Sequence, residues 1–328
     1  MLIPLLQLIA GFILLIWGAD RLVTGASALA RNAGISPLVI GLTIVGFGTS
    51  APELVTSAVA SFQGNPALAV GNALGSNIAN VGLILGITDL LYPIQVHSGV
   101  LRREAPVLLL IMLVTLVLMF DLRLELIDGL ILSAALLVMT GWMAQMGLKG
   151  NRDDPLAQDL EAEIPDDMST SRAVLWTVVG LIILPLSSKI LVDGAVALAL
   201  LLGVPEVIVG LTVIAFGTSL PELAAAAASA LKQEDDLAVG NILGSNMFNL
   251  LGVLGIAALV QPMNLDPALL YRDTSVMFGI TLLFFGLYYW PGARGHITRV
   301  GGVVLLITFL VYQWFLIAPV VAANTGAG

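Results

Sequence analysis

Apolar residues run along this chain in long unbroken stretches rather than in alternation. About ten stretches, near 3–22, 37–61, 67–91, 104–120, 125–147, 173–200, 205–231, 237–260, 268–290 and 297–319, are each long enough to cross a hydrocarbon core as a helix, which takes roughly 20 residues. No stretch alternates with period two, and inside lipid only helices and closed barrels satisfy every backbone group. The pattern therefore predicts an all-α polytopic membrane protein with about ten transmembrane helices. The first span lacks a basic leader and a small-residue cleavage site, so it is expected to be retained rather than cleaved.

Composition agrees: of 328 residues 58% are hydrophobic and 11% charged, with mean hydropathy +1.01, far above a soluble globular chain. Cysteine is absent, which excludes disulfides, thiolate metal sites and cysteine nucleophiles. The net charge of −9 is not spread through the apolar part. Asp153, Asp154, Asp159, Glu161, Glu163, Asp166 and Asp167 crowd one polar stretch that divides the spans five and five. A charge run without aromatics reads as a solvated linker, and its spacing offers no EF-hand. The expected organisation is a first five-helix unit over 1–148, an acidic linker over 149–171 and a second five-helix unit over 172–328.

Polar residues inside the apolar stretches are not scattered. At a constant offset of 169, "GLTIVGFGTSAPELVTSAVASFQGNPALAVGNALGSNIANVGLILG" (41–86) lies over "GLTVIAFGTSLPELAAAAASALKQEDDLAVGNILGSNMFNLLGVLG" (210–255), with 23 of 46 positions identical and no gap. The offset continues outward, pairing Gly25 with Gly194, Pro93 with Pro262, and Arg103–Glu104 with Arg272–Asp273. Five spans per copy is an odd number, so the second copy must enter the membrane from the opposite side. Alternate loops carry nine basic residues (Arg31, Arg102, Arg103, Lys149, Arg152, Arg172, Lys232, Arg294, Arg299) against two (Arg123, Arg272). The positive-inside rule then predicts a plasma (cytoplasmic) membrane protein with both termini outside and the acidic linker inside. Inverted repeats present an element near their pseudo-two-fold axis twice to one midplane site, the architecture that alternating access uses.

In "GTSAPEL", Ser50 and Glu53 have the spacing of a capping box, and Pro52 cannot donate a backbone hydrogen bond. One reading is a helix that breaks and restarts with each glutamate capping its own helix. Against that, a charged side chain near the bilayer centre costs about 2.5–3.5 kcal/mol, and a serine cap without it would serve nearly as well. "GTSLPEL" repeats the arrangement at Ser219 and Glu222, which favours one shared ligand. "GNALGSNIAN" sets Asn72, Ser76 and Asn80 at intervals of four, on roughly one helix face, and "GNILGSNMFN" repeats them as Asn241, Ser245 and Asn249. Asn77 and Asn246 fall off that stripe and are expected to join helices, while Gly71, Gly75, Gly240 and Gly244 suit close helix approach.

The pooled donors are carboxylate, hydroxyl, amide and freed carbonyl oxygens, notably at Thr49 and Thr218. An all-oxygen shell suits hard cations: sodium, calcium, magnesium or manganese. Two carboxylates balance one Ca²⁺, two Na⁺ or two H⁺. Paired carboxylates with no cation between them are expected to take up protons, so protons should compete.

These motifs resemble the sodium/calcium exchangers of the cation/calcium antiporter superfamily, whose two α-repeats carry GTSxPE and GNxxGSN. The resemblance implies a ten-helix inverted-repeat antiporter that moves Ca²⁺ against Na⁺ by alternating access. It implies Glu53 and Glu222 as shared calcium ligands with the Thr49 and Thr218 carbonyls, and sodium around Ser50, Ser76, Ser219 and Ser245 with both glutamates. Asn80 and Asn249 would stand at the centre, with Asn72 and Asn241 beside them. Some members have Asp where this chain has Asn249, a feature tied to potassium dependence, so the resemblance implies potassium independence here. No cofactor, nucleic acid or protein partner is expected beyond the transported ions and the bilayer.

Other classes fit less well. A channel wants a continuous ring of charge or carbonyls. A hydrolase with Ser50 or Ser219 as nucleophile would need a base, and the two histidines, His97 and His296, fall in expected loops. Calcium/proton exchange is the nearest alternative. Asp20 with Arg21, and Lys189 with Asp193, are expected to pair locally rather than gate. Met143, Met146 and Tyr288–Trp290 read as packing and an interfacial belt.

Overall fold

Stretches this apolar form helices because a helix alone pairs its backbone within one segment. The computed structural model describes residues 1–35, 46–94, 99–149, 168–231, 235–289 and 297–324. The first span is α1 (Leu2–Asn32), and the described part of the second is α2 (Gly46–Thr49) and α3 (Ala51–Phe62). The third joins α4 (Pro66–Ala79), a π-helical stretch Asn80–Leu85 and α5 (Gly86–Leu91). The fourth and fifth are α6 (Gly99–Met119) and α7 (Leu126–Lys149).

The second half opens with α8 (Thr170–Leu202). Its next span joins α9 (Glu206–Val209), π-helical Gly210–Ile214, α10 (Ala215–Thr218) and α11 (Leu220–Leu231). The eighth joins α12 (Asp235–Phe248), π-helical Asn249–Val253 and α13 (Leu254–Val260). The last two are π-helical Leu269–Thr274 running into α14 (Ser275–Tyr289), and α15 (Arg299–Asn324). Most of the acidic linker, the start of the second span, His97, His296 and Trp290 lie outside the described residues, as does the side chain of Met146.

Contacts between loops sort into two sets. Asn32 donates to the Met168 carbonyl at 3.0 Å, and the Ile297 amide donates to the Ile94 carbonyl at 3.1 Å. These join loops 1–2 with 5–6 and 3–4 with 9–10. On the other set, Gln63 donates to Asp193 at 3.1 Å, and β1 (Arg123–Leu124) pairs antiparallel with β2 (Met263–Asn264), Arg123 opposite Asn264.

Two spans are longer than their apolar runs. Helix α1 continues to Asn32 and α8 starts at Thr170, so at about 1.5 Å per residue each exceeds a core of roughly 30 Å and projects from it. Asp20 and Arg21 therefore sit well inside α1 rather than near its end, as the apolar run alone suggested. Both local ion pairs form: Arg21 to Asp20 at 3.4 Å and Lys189 to Asp193 at 2.8 Å. Arg21 also lies over the Trp176 ring at 5.0 Å.

The third and eighth spans are almost wholly buried, whereas α1, α7, α8 and α15 bury about a third of their apolar windows or less. Leu137, Leu181, Leu200 and Trp314 are among the large side chains left exposed on that outer layer. This is the surface a bilayer covers, since lipid imposes no penalty on apolar exposure. Helices α1 and α8 pack along each other where small residues admit the neighbouring backbone. A Cβ on Gly11 would stand 2.9 Å from Leu191 Cα, and one on Gly180 would stand 2.7 Å from Leu22 Cα. The two contacts are the same contact shifted by 169, so the repeat in sequence is also a repeat in space. Between α4 and the π-helical turn at Gly210, a Cβ on Gly71 would stand 3.2 Å from Gly210 Cα. That closeness brings the two motifs face to face.

Candidate cation site

Glu53 and Glu222 each follow a proline, on α3 and α11, and both are fully buried. Pro52 and Pro221 have no N–H, so the carbonyls of Gly48 and Gly217 lose their ordinary helical donor. The helix is interrupted there at Ser50, which has φ −85° and ψ 1°, and at Ser219, with φ −84° and ψ 5°. The capping-box reading does not hold in the first repeat, where Ser50 makes no side-chain cap bond. Glu53 accepts from Ser219 Oγ at 3.3 Å, across the repeats, and Glu222 accepts from Ser245 Oγ at 3.0 Å.

The two halves are tied together reciprocally. Thr49 Oγ1 donates to Asn241 Oδ1 at 3.1 Å, and Thr218 Oγ1 donates to Asn72 Oδ1 at 3.1 Å. Each bond crosses from one repeat to the other, and each is the other shifted by 169. Deeper in, Asn80 Nδ2 donates to Asn246 Oδ1 at 3.0 Å and to Ser245 Oγ at 3.2 Å, while Asn249 Nδ2 donates to Asn77 Oδ1 at 3.1 Å. Ser76 Oγ donates to Asn72 Oδ1 at 3.4 Å, so the intervals of four do place neighbours on one face.

Eleven of the twelve residues that the motifs single out are joined in this network, and the twelfth, Ser50, is buried with its hydroxyl unpaired. Ser50, Glu53, Ser76, Asn80, Thr218, Glu222, Ser245 and Asn249 are fully buried, Asn72 and Ser219 nearly so, and Thr49 and Asn241 are half-buried. Five of their oxygens have no protein partner although buried: Ser50 Oγ, Glu53 Oε2, Glu222 Oε2, Asn80 Oδ1 and Asn249 Oδ1. An unpaired buried oxygen costs free energy, and five among these residues, four of them in equivalent pairs, mark a place where a cation supplies the missing partner. The set has two carboxylates and no nitrogen or sulfur ligand, the donor chemistry of a hard cation. Among the described residues no three His, Cys, Asp or Glu cluster as a metal site, so neutral oxygens must complete the shell.

Three features were not read from the sequence. Asn80 and Asn249 each begin a π-helical stretch, a local widening that is frequent at functional sites and leaves no mark in hydrophobic periodicity. The hydroxyls of Thr49 and Thr218 also join the repeats, through Asn241 and Asn72. Ser57 accepts from Asn72 Nδ2 at 3.1 Å, and the signal for it was present: Ser57 lies one helical turn from Glu53. It was hidden because its equivalent is Ala226, which leaves Asn241 Nδ2 without a partner.

Known proteins bear on this arrangement. A family model described as sodium/calcium exchanger protein matches residues 3–144 and 172–318, both repeats and not the linker. CaxA of Alkalimonas amylolytica is 45% identical over 96% of this chain and 99% of its own length. The inner membrane protein YrbG of Escherichia coli K12 is 42% identical over 94% of this chain and 97% of its own. Among solved structures, the sodium-calcium exchanger NCX_Mj, soaked with Na⁺ and Ca²⁺, aligns with a TM-score of 0.64 at 30% identity, covering 94% of this chain and 96% of that one. The duplicated buried glutamates, the eight helices among the described residues that are long and apolar enough to cross a membrane, and the match over both repeats lead to one conclusion: the chain is a multi-span integral membrane protein of the sodium/calcium exchanger family, an antiporter and not an enzyme.

Proposed function

We propose that this antiporter exchanges Ca²⁺ for Na⁺ by alternating access, independently of potassium. The observation that carries the reading is the set of five buried oxygens without protein partners, two from carboxylates and three from neutral groups. A proton needs one carboxylate oxygen and gains nothing from neutral donors around it. Sodium and calcium both need an oxygen shell, so Ser50, Asn80 and Asn249 favour a metal counter-ion over H⁺. The sodium/calcium exchanger MaX1 of Methanosarcina acetivorans, 30% identical over 95% of this chain, supports the same choice.

Calcium is bound by Glu53 and Glu222 with the Thr49 and Thr218 carbonyls. Sodium occupies the same glutamates with Ser50, Ser76, Ser219 and Ser245, while Asn80 and Asn249 sit centrally and Asn72 and Asn241 brace the shell. One set of carboxylates serving both ions makes their occupancy exclusive, which couples the two fluxes. Neutral Asn249 keeps the site at two carboxylates and leaves a further monovalent ion uncompensated. Residues 1–148 and 172–328 form the two inverted units around the site, with the linker 149–171 in the cytoplasm and both termini outside.

Counterflow in proteoliposomes tests this. Calcium uptake should follow an outward sodium gradient and vanish in Glu53→Gln. Uptake driven equally well by a pH gradient alone would replace Na⁺ with H⁺ as the counter-ion.

A further inference from the structure

An asparagine side chain is a ligand for a cation at one end and a repellent at the other, because its carbonyl oxygen attracts the ion and its NH₂ does not. Asn80 and Asn249 are useful at the centre of the site only if their oxygens point inward. In both, Nδ2 is engaged by protein and Oδ1 is the buried atom left without a partner. The cause of that orientation differs between the two.

For Asn80 it is secured twice. Glu222 accepts from Ser245 Oγ, so the remaining lone pairs of Ser245 face Asn80 and take a hydrogen bond from its Nδ2, and Asn246 Oδ1 takes another. For Asn249 the structure gives one partner, Asn77 Oδ1 at 3.1 Å. Asn77 is itself oriented by a group that cannot reverse: its Nδ2 donates to the backbone carbonyl of Asn246 at 3.2 Å. A backbone carbonyl only accepts, so Asn77 must present NH₂ to it and oxygen to Asn249. Asn77 and Asn246 are both nearly fully buried, so no solvent competes for these bonds.

Resting on the site proposed above, we propose that Asn77 is a positioning residue that fixes which end of the Asn249 amide faces the cation. Asn246 occupies the equivalent position but only duplicates what Ser245 already does for Asn80. Sequence-equivalent amides thus hold unequal bonds, and a change in Ca²⁺ affinity, rather than in the amount of folded protein, separates positioning from a structural role.

Asn77→Leu removes the acceptor, frees the Asn249 amide to turn its NH₂ inward, and should raise the Ca²⁺ concentration for half-maximal sodium-driven uptake about tenfold or more. Asn246→Leu deletes a buried interhelical amide of the same kind and should change that concentration by less than about threefold. Adding Asn249→Asp supplies oxygen at either end of the side chain. Its gain in affinity should be larger on Asn77→Leu than on the native chain, where the carboxylate would face the Asn77 oxygen. Where Asn77→Leu does not reach the membrane, Asn77→Ser, too short to hold the Asn249 amide, carries the same expectation. Equal effects of the Asn77 and Asn246 changes, or an Asn249→Asp gain that is the same in both backgrounds, would overturn the proposal. Glu53→Gln, measured for Ca²⁺ binding in parallel, separates the two levels: retained binding there refutes the site itself, whereas lost binding with a neutral Asn77→Leu refutes only the role of Asn77.

Discussion

Thr218 and Asn72 share a 3.1 Å hydrogen bond and are sealed from solvent; Thr49 and Asn241 share the equivalent bond at the same length and are half-buried. The residues are identical and the packing over them is not. Beside Asn72, a Cβ on Gly75 would stand 2.7 Å from the Leu211 carbonyl and from Ala215 Cβ. The counterpart of Leu211 across from Gly244 is Leu42, which lies outside the described residues. Duplicated sequence therefore supplies two equivalent hydrogen-bonded walls, and the tertiary structure buries the Thr218–Asn72 pair more deeply than the Thr49–Asn241 pair. In an inverted-repeat antiporter the two walls exchange roles, since closing either costs the same local contacts.

The comparison can be broken most severely at the residues both walls share. Glu53→Gln and Glu222→Gln should each cut sodium-driven calcium uptake by more than about a hundredfold, because removing one carboxylate from a buried ionic set costs several kcal/mol. A variant of either glutamate that kept near-native uptake would show that the two halves do not build one site. Accessibility sharpens the contrast next. With no native cysteine, Asn241→Cys should react with a small thiol reagent at least about tenfold faster than Asn72→Cys, since labelling follows exposure of the thiolate. Conditions that favour the opposite state should invert the ratio, and equal rates throughout would remove the asymmetry.

Protonation acts on both walls alike. With Glu53 and Glu222 as the proposed shared ligands, protons would compete for the same two carboxylates, and calcium uptake at fixed sodium should fall several-fold as pH is lowered from 7 to about 5. A flat profile would mean that the glutamates are not the shared ligands. The smallest effect concerns the missing hydroxyl. Ala226→Ser would restore for Asn241 the partner that Ser57 provides for Asn72, and satisfying that buried NH₂ should add about 1 kcal/mol, seen as a rise of about 2 °C in Tm. Ser57→Ala should lower it by a similar amount, and a fall in both variants would show that the two environments differ by more than one side chain.

Uninterrupted apolar runs, five on each side of an acidic linker, were enough to specify ten membrane helices, because lipid leaves the backbone no other way to pair. The gapless offset of 169 located Glu53, Glu222 and the Ser and Asn residues of the site, since two buried charges at equivalent positions have few structural explanations. Local spacing left out partners from the other repeat: Ser50 makes no cap bond, and Glu53 accepts from Ser219, which is 166 residues away. Helix lengths were underestimated because hydropathy marks only the part inside lipid, and α1 and α8 extend past it. The sequence thus singled out the residues that the structure buries together between the repeats. Tertiary structure alone decided how they are aimed: which hydroxyl meets which carboxylate, which amide end faces inward, and which wall is more deeply buried. Those depend on contacts between repeats, where one serine replaced by Ala226, or one backbone carbonyl at Asn246, makes equal sequences behave unequally.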